Sequence, residues 1–439
     1  MPRGAASAGC EETRRDALRQ IGRSAMALAG TLAGCGRSAD RDGSLDFWAM
    51  GREAEVVVDL LAAFHARHPS VQVRVQQLPW TAAHEKLLTA FAGGALPDVC
   101  QLGNTWLPEF SALGALEPLN ERVAAAGIPR DDYFPGILDT NLMPAGTGSR
   151  LLGLPWYVDT RLLFYRTDLL RAAGHARPPE TWGQWRAAMQ DIVRLGGAGH
   201  YGALLPLNEP EPLFALSLQQ GALLADDDTR GAFARPPFRR ALDFYASIFR
   251  DGLAPLMTNT QISNVWDEFA RGLFAFYITG PWNIGEFRRR LPEERQGDWA
   301  AAPLPGPDGP GVSTAGGSSL VIFKSSRRKD AAWKLITFLS EPETMQRFHA
   351  LTGDLPPRRS AWRAPALADD PPSQAFLQQL ERVRAAPKIP EWERIFQEMQ
   401  LTAERVVRGT QDAEAACLQL DSWVDAVLEK RRWLRDRQA

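Results

Sequence analysis

Apolar and polar positions alternate from Ser44 to Ala49, with Leu45 and Phe47 on one face, which predicts a strand that Gly51 ends. From Glu55 to Arg67 the spacing changes. Val57, Leu60, Leu61 and Phe64 recur at helical intervals, and His68-Pro69 stops the run. Val71, Val73 and Val75 alternate again, so a second strand follows. Thr81 to Phe91 reads as a helix closed by Gly93-Gly94, and Leu96 to Leu102 as a third strand. Strand, helix, strand, helix, strand in this order predicts a parallel sheet. Ligands of such sheets sit at the carboxyl ends of the strands. Those ends are Trp48 to Gly51, Leu78 to Trp80 and Gly103 to Trp106, and each pairs a Trp with Gly, Pro or Asn.

The middle of the chain changes character. Gly153 to Arg166 is an extended stretch leading out of the first lobe. Thr181 is set to cap a helix, with Gln184 completing a capping box and Gly196-Gly197 ending it. Helices are predicted near Leu213 to Gln219, Phe238 to Arg250 and Val265 to Arg271, with a strand at Phe274 to Ile278. Ala301 to Gly311 is rich in turn residues. Leu320 to Phe323 is a strand, Asp330 to Leu339 a helix, and Ser340-Glu341-Pro342 opens another. From Ser373 onward the chain is mostly helical and charged. A length of 439 residues exceeds one ordinary core and predicts two α/β lobes.

The first residues read as an address. Thr13-Arg14-Arg15 precedes a short apolar run, Ala25 to Ala33, that closes on Leu32-Ala33-Gly34-Cys35. This resembles a signal peptide ending in a bacterial lipobox, with Cys35 acylated after cleavage. Residues 1–34 are assigned to the signal peptide and 35–43 to a lipidated tether, which predicts an exported, periplasmic, membrane-anchored lipoprotein. Sec and twin-arginine export both stay open.

Composition narrows the chemistry. A net charge of −2 gives no global field for nucleic acid. Six His and four Cys, none in CxxC spacing, predict neither a metal nor a cofactor. Cys100 and Cys417 either pair or stand as separate small hydrophobes. The excess is Trp: 14, against 6 Tyr, many beside Gly, Pro or Asn. A sugar has apolar faces for indoles to cover and a rim of hydroxyls for carboxylates, amides and backbone to meet. Five segments mix both: Gly103-Asn104-Thr105-Trp106, Pro155-Trp156-Tyr157-Val158-Asp159, Gly280-Pro281-Trp282-Asn283, Ala315-Gly316-Gly317-Ser318 and Pro390-Glu391-Trp392-Glu393. They predict a binding site without bond chemistry.

Those segments, with Ala92-Gly93-Gly94-Ala95-Leu96-Pro97-Asp98-Val99, Pro179-Glu180-Thr181-Trp182, Phe276-Tyr277-Ile278-Thr279 and Thr352-Gly353-Asp354-Leu355-Pro356, resemble the bacterial extracellular solute-binding proteins of family 1, the sugar-binding lipoproteins of ABC transporters. The resemblance spans essentially the whole mature chain and is to the maltose- and trehalose-binding type. It implies an α/β, two-lobed periplasmic-binding-protein fold of type II, with parallel-sheet lobes joined by crossing hinge segments. It implies lobes at 44–158 plus 315–358 and at 159–314 plus 359–439. Hinges are implied near Val158 to Thr160, Val312 to Ala315 and Pro356 to Ser360. Asp159 would bond sugar hydroxyls, and Trp282 and Trp392 would stack on the sugar. Asn104, Trp106, Gly317 and Arg358 would line the first-lobe and hinge side. Trp48, Trp156, Tyr157 and Asn283 complete the expected ligand-binding set from the strand-end and segment readings. Leu102 stands where this type carries an aromatic, which leaves the sugar unnamed. The implied partners are an oligosaccharide and ABC permease subunits, with the chain a monomer. Two rivals stay open. A glycoside hydrolase would need paired carboxylates, for which Asp159, Glu209, Glu211, Glu391 and Glu393 are available. A non-sugar solute such as a glycerol phosphodiester or peptide is the other.

Overall fold

The computed structural model describes residues 43–145, 148–225 and 227–437. The signal peptide, Cys10, Cys35 and all but Gly43 of the tether lie outside the described residues. Strand β1 (Leu45–Met50) leads into α1 (Gly51–Arg67), β2 (Val73–Leu78), α2 (Trp80–Ala92) and β3 (Val99–Gly103). The last begins after Pro97, which has no N–H to give a ladder. β4 (Leu154–Asp159) and β5 (Leu162–Arg166) follow, then α3 (Trp182–Gly196), β6 (Tyr201–Leu204), α4 (Glu211–Gln220) and α5 (Pro236–Arg250). β7 (Phe274–Thr279), α6 (Trp282–Arg290), β8 (Trp299–Ala302), β9 (Gly316–Ile322), α7 (Lys329–Leu339) and α8 (Pro342–Thr352) come next. α9 (Trp392–Val407) and α10 (Ala413–Val427) lie near the end. The capping box at Thr181 forms as read, each side chain meeting the other's backbone N–H.

Two sheets result. The first has the order β2-β1-β3-β9-β4 and the second β8-β5-β7-β6. Neither is purely parallel, which corrects the expectation for the lobes. β1, β2 and β3 run parallel, but β9 inserts between β3 and β4 antiparallel to both. In the second sheet β7 is parallel to β6 and antiparallel to β5. A chain that leaves the first sheet after β4 and returns to it only at β9 re-enters from the opposite direction. β9 is also longer than its pattern predicts, because Gly316 and Gly317 belong to it rather than to a turn. Glycine carries no side-chain signal for a strand.

Each sheet has its own core. Phe47, Phe64, Trp156 and Phe348 pack on one side of the first sheet. Trp185, Phe238, Phe276 and Trp392 pack in the second. Cys100 and Cys417 are buried in different cores and both are free thiols, which removes the disulfide option. The chain crosses from the first sheet to the second after β4 and returns at β9. The Val158 N–H donates to the Leu355 carbonyl at 2.9 Å, and Asp159 lies opposite Gly316 across the β4/β9 ladder.

Candidate functional site

A cavity of about 660 Å³ lies where the ends of β1 and β3 face the starts of α4 and α6, with β4 and β9 at its back. The size suits a small ligand, whose sites run from about 300 to 1,000 Å³. The back wall is built around Tyr157. Its buried hydroxyl accepts from Gln101 Nε2 at 3.2 Å and from Ser318 Oγ at 3.1 Å, and it donates to the Glu53 carboxylate. The Trp80 indole also bonds Glu53. Glu53 nevertheless titrates above the usual carboxylate range, because burial outweighs those bonds. Asp354 stands beside it. Burial, then the charges of Glu53 and Asp159, push the Asp354 carboxyl up to about 8.

Asp159 ends β4. It is raised by burial, against the opposing pull of the Arg161 guanidinium that bonds it. Arg161 also reaches Glu211 Oε1 at 3.4 Å. Its own backbone is pinned: the Arg161 N–H donates to Ser313 Oγ at 3.1 Å, and that hydroxyl donates back to the Arg161 carbonyl at 2.8 Å. The guanidinium lies 4.8 Å from the ring centroid of Trp282. Trp282 starts α6, and its indole folds back over Gly280, where a Cβ would fall inside the ring. That close approach holds a 40% exposed indole at the mouth of the cavity.

The opposite wall comes from the turn after β3. Trp106 meets Trp80 edge-on at 5.7 Å, and His84 lies 5.0 Å from Trp106. Asn104 is 5% exposed; it donates to the Gly316 carbonyl at 3.2 Å and accepts from Ser319 Oγ at 2.8 Å, so it lines the cavity while fixing β9. Gly317 takes φ +113 and packs on the Tyr157 carbonyl, a position that a side chain would obstruct. Phe214 and Glu209 face in from the second sheet's side, as do Phe396 and Glu393 of α9. Glu393 is raised by burial and held back by a hydrogen bond from Thr105, so the two walls touch there. Glu209 is likewise raised, by burial and then by Glu211.

A larger cavity of about 1,390 Å³ lies beyond the segment Ala385–Lys388. It is lined by Lys388, Arg431 and Leu434 among others, and by no aromatic side chain among the described residues. It offers nothing to cover the face of a sugar ring. Among the described residues no His, Cys, Asp and Glu group is arranged to hold a metal ion.

A sequence profile for bacterial extracellular solute-binding proteins matches residues 51–346. The chain belongs to this family. It is a solute-binding protein and not an enzyme. Among solved structures it is similar to the sugar-binding protein MalE of Xanthomonas citri, 55% identical, with a TM-score of 0.87, over 90% of this chain and all of that one. It is 30% identical to a lipoprotein of Streptomyces antibioticus over 76% of each chain. It is 27% identical to a mannitol-binding protein of Pseudomonas aeruginosa over 74% of this chain and 76% of that one. The two mixed sheets are the periplasmic-binding-protein fold of the Xanthomonas structure.

In this family member the cavity gathers Asn104, Trp106, Tyr157, Asp159, Trp282 and Gly317 of the expected residues. It leaves five out. Trp156 is 1% exposed and stacks on Phe348 at 4.5 Å, because it faces the opposite side of β4 from Tyr157. Trp392 is 1% exposed and packs on Phe214 at 5.3 Å, while its neighbour Glu393 turns to the cavity. Trp48 is buried in the core beneath Lys86. Asn283 is spent bonding Thr279 at 2.6 Å and the Trp266 indole at 2.7 Å. Arg358 is committed to Asp132 at 2.7 Å and to the Ser340 carbonyl at 2.7 Å. The expectation that Trp156, Trp282 and Trp392 share one crevice is thereby corrected. Of the carboxylates weighed for hydrolysis, Glu391 lies by Arg431 at the larger cavity. Glu53, Arg161, Asp354 and Phe396 were missed, and Trp80 was named only as a strand end. Trp80 and Glu53 sit just past the ends of β2 and β1, so the strand-end rule was the signal for both. Asp354 lay in a quoted stretch but carried no aromatic beside it.

Proposed function

We propose that this chain is the substrate-binding component of a carbohydrate ABC importer. It takes an oligosaccharide, a disaccharide such as maltose or trehalose, into the 660 Å³ cleft. It then delivers the sugar to permease subunits. The observation that carries this reading is the lining itself. Trp80 and Trp106 on one side and Trp282 on the other offer ring faces around a polar floor of Glu53, Asp159, Arg161 and Asp354. Stacking covers the sugar's C–H faces, and the charged groups meet its hydroxyls, each unmet one costing about 1–3 kcal/mol. The 55% identical sugar-binding protein and the mannitol-binding relative support a polyhydroxylated, uncharged ligand. A phosphodiester is disfavoured, because Arg161 is the single cation among the described lining residues.

The lobes proposed are 44–158 plus 315–358 and 159–314 plus 359–439, rotating about the crossing segments. Sugar held by both walls favours the closed arrangement, as at the Thr105–Glu393 contact. We place the mature protein at the outer face of the membrane through an acylated Cys35; the Streptomyces lipoprotein supports this anchor. A thermal-shift screen of neutral mono- and disaccharides on the mature chain tests the reading. Binding raises the melting temperature by mass action, and the sugar is recovered unchanged. No shift with any sugar in the set, or release of glucose from a disaccharide, overturns it.

A further inference from the structure

The cleft holds more negative charge than an uncharged ligand needs. Glu53, Asp159, Glu209, Glu211 and Glu393 line it together with Asp354, which keeps its proton near neutral pH, and Arg161 alone among the described lining residues opposes these carboxylates. Such a cavity without its cation would draw in ammonium groups. The Arg161 guanidinium is not free to leave. Ser313 pins its backbone in both directions, and Asp159 and Glu211 hold its two ends. The Trp282 indole lies over it at 4.8 Å, which closes one face of that ring to any ligand. Glu209 and Tyr277 also lie within its field, so it is faced from β4, β7 and the start of α4.

We infer that Arg161 is a specificity-determining residue, a built-in counter-cation that makes this cleft accept uncharged sugars and reject amino sugars. This rests on the carbohydrate reading above. The arginine takes the place that a ligand ammonium would otherwise occupy between Asp159 and Glu211. It leaves those carboxylates oriented toward hydroxyls, and it leaves Trp282 one open face for stacking. A cationic sugar would bring a second positive charge beside a fixed one, and its amine would find the nearest carboxylates already paired.

The test is calorimetry on the mature chain at about pH 6, where a sugar amine is protonated. Maltose and trehalose are the neutral probes, and the glucosamine disaccharide of chitosan is the cationic one. The wild type is expected to bind a neutral probe at least about tenfold tighter than the cationic one. Arg161→Gln is expected to lose about ten- to hundredfold toward the neutral probe and to prefer the cationic one. Glu211→Gln keeps Arg161 and removes one carboxylate, so its preference for the neutral probe should grow. It decides the matter if R161Q does not fold by far-ultraviolet circular dichroism. An R161Q protein that folds and still prefers the neutral sugar overturns the inference while leaving the carbohydrate reading intact. So does an E211Q protein whose preference is unchanged or reversed, or a wild type that prefers the amino sugar. A wild type that binds none of the three probes, nor any sugar of the neutral screen, overturns that reading and the inference together.

Discussion

Two groups of tryptophan divide the molecule. Trp156 and Trp392 lie in the interiors of the two cores, each 1% exposed, against Phe348 and Phe214. Trp80 and Trp282 stand at the cleft, 37% and 40% exposed, against other polar and aromatic groups. In the sequence the two groups look alike, each beside proline, glycine or a carboxylate. The fold separates them by one residue. Trp156 and Tyr157 point to opposite faces of β4, and Trp392 and Glu393 to different sides of the first turn of α9. An indole near a loop therefore tells little until the register of its strand or helix is known.

The sharpest way to break this division is to truncate one member of each group. Trp392→Ala removes a fully buried indole and should cost about 3–5 kcal/mol of stability, read as a fall in the denaturation midpoint. Sugar affinity of the protein that remains folded should stay within a factor of about three. Next in size is Asp159→Asn, which removes a charged acceptor from the cleft floor. Calorimetry should show about ten- to hundredfold weaker sugar binding in a variant whose far-ultraviolet circular dichroism shows it folded. Trp282→Ala should weaken binding by about tenfold and also leave the unliganded melting temperature in place, since its ring is 40% exposed. If Trp282→Ala unfolds the protein or Trp392→Ala abolishes binding alone, the two groups are not distinct.

Much of the architecture was legible because periodicity speaks of burial. The first five elements, the capped helix at Thr181 and the strand at Phe274 all follow from apolar spacing. β9 was read short, because Gly316 and Gly317 have no side chains to alternate. The cleft was legible only in part. Asp159, Trp106 and Trp282 sit in segments whose composition marks them. Arg161 and Asp354 act through neighbours that are distant in the chain: Arg161 through Glu211 and Trp282, and Asp354 through Glu53. No local pattern carries such a pairing. Side-chain direction was the other gap, as at Trp48, Asn283 and Arg358, whose polar or aromatic groups satisfy the fold instead.

The last expected effect concerns a single carboxyl of the cleft floor. Asp354 belongs to the cleft floor, with its carboxyl raised from an ordinary 3.8 to about 8 by burial and by the nearby Glu53 and Asp159. The folded protein therefore holds this proton where the unfolded chain has lost it. Stability rises with pH only where the unfolded state binds more protons, so here it falls. The contribution of Asp354 is greatest below about pH 4, is lost progressively as pH rises toward 8, and changes no further above that. Asp354→Asn keeps the shape of the neutral carboxyl and cannot ionise. The variant should melt higher than the parent at pH 8 and above, and the gap should close on acidification. Melting curves taken across this range decide it. Equal melting temperatures at alkaline pH would mean that Asp354 is solvated like an ordinary surface carboxylate.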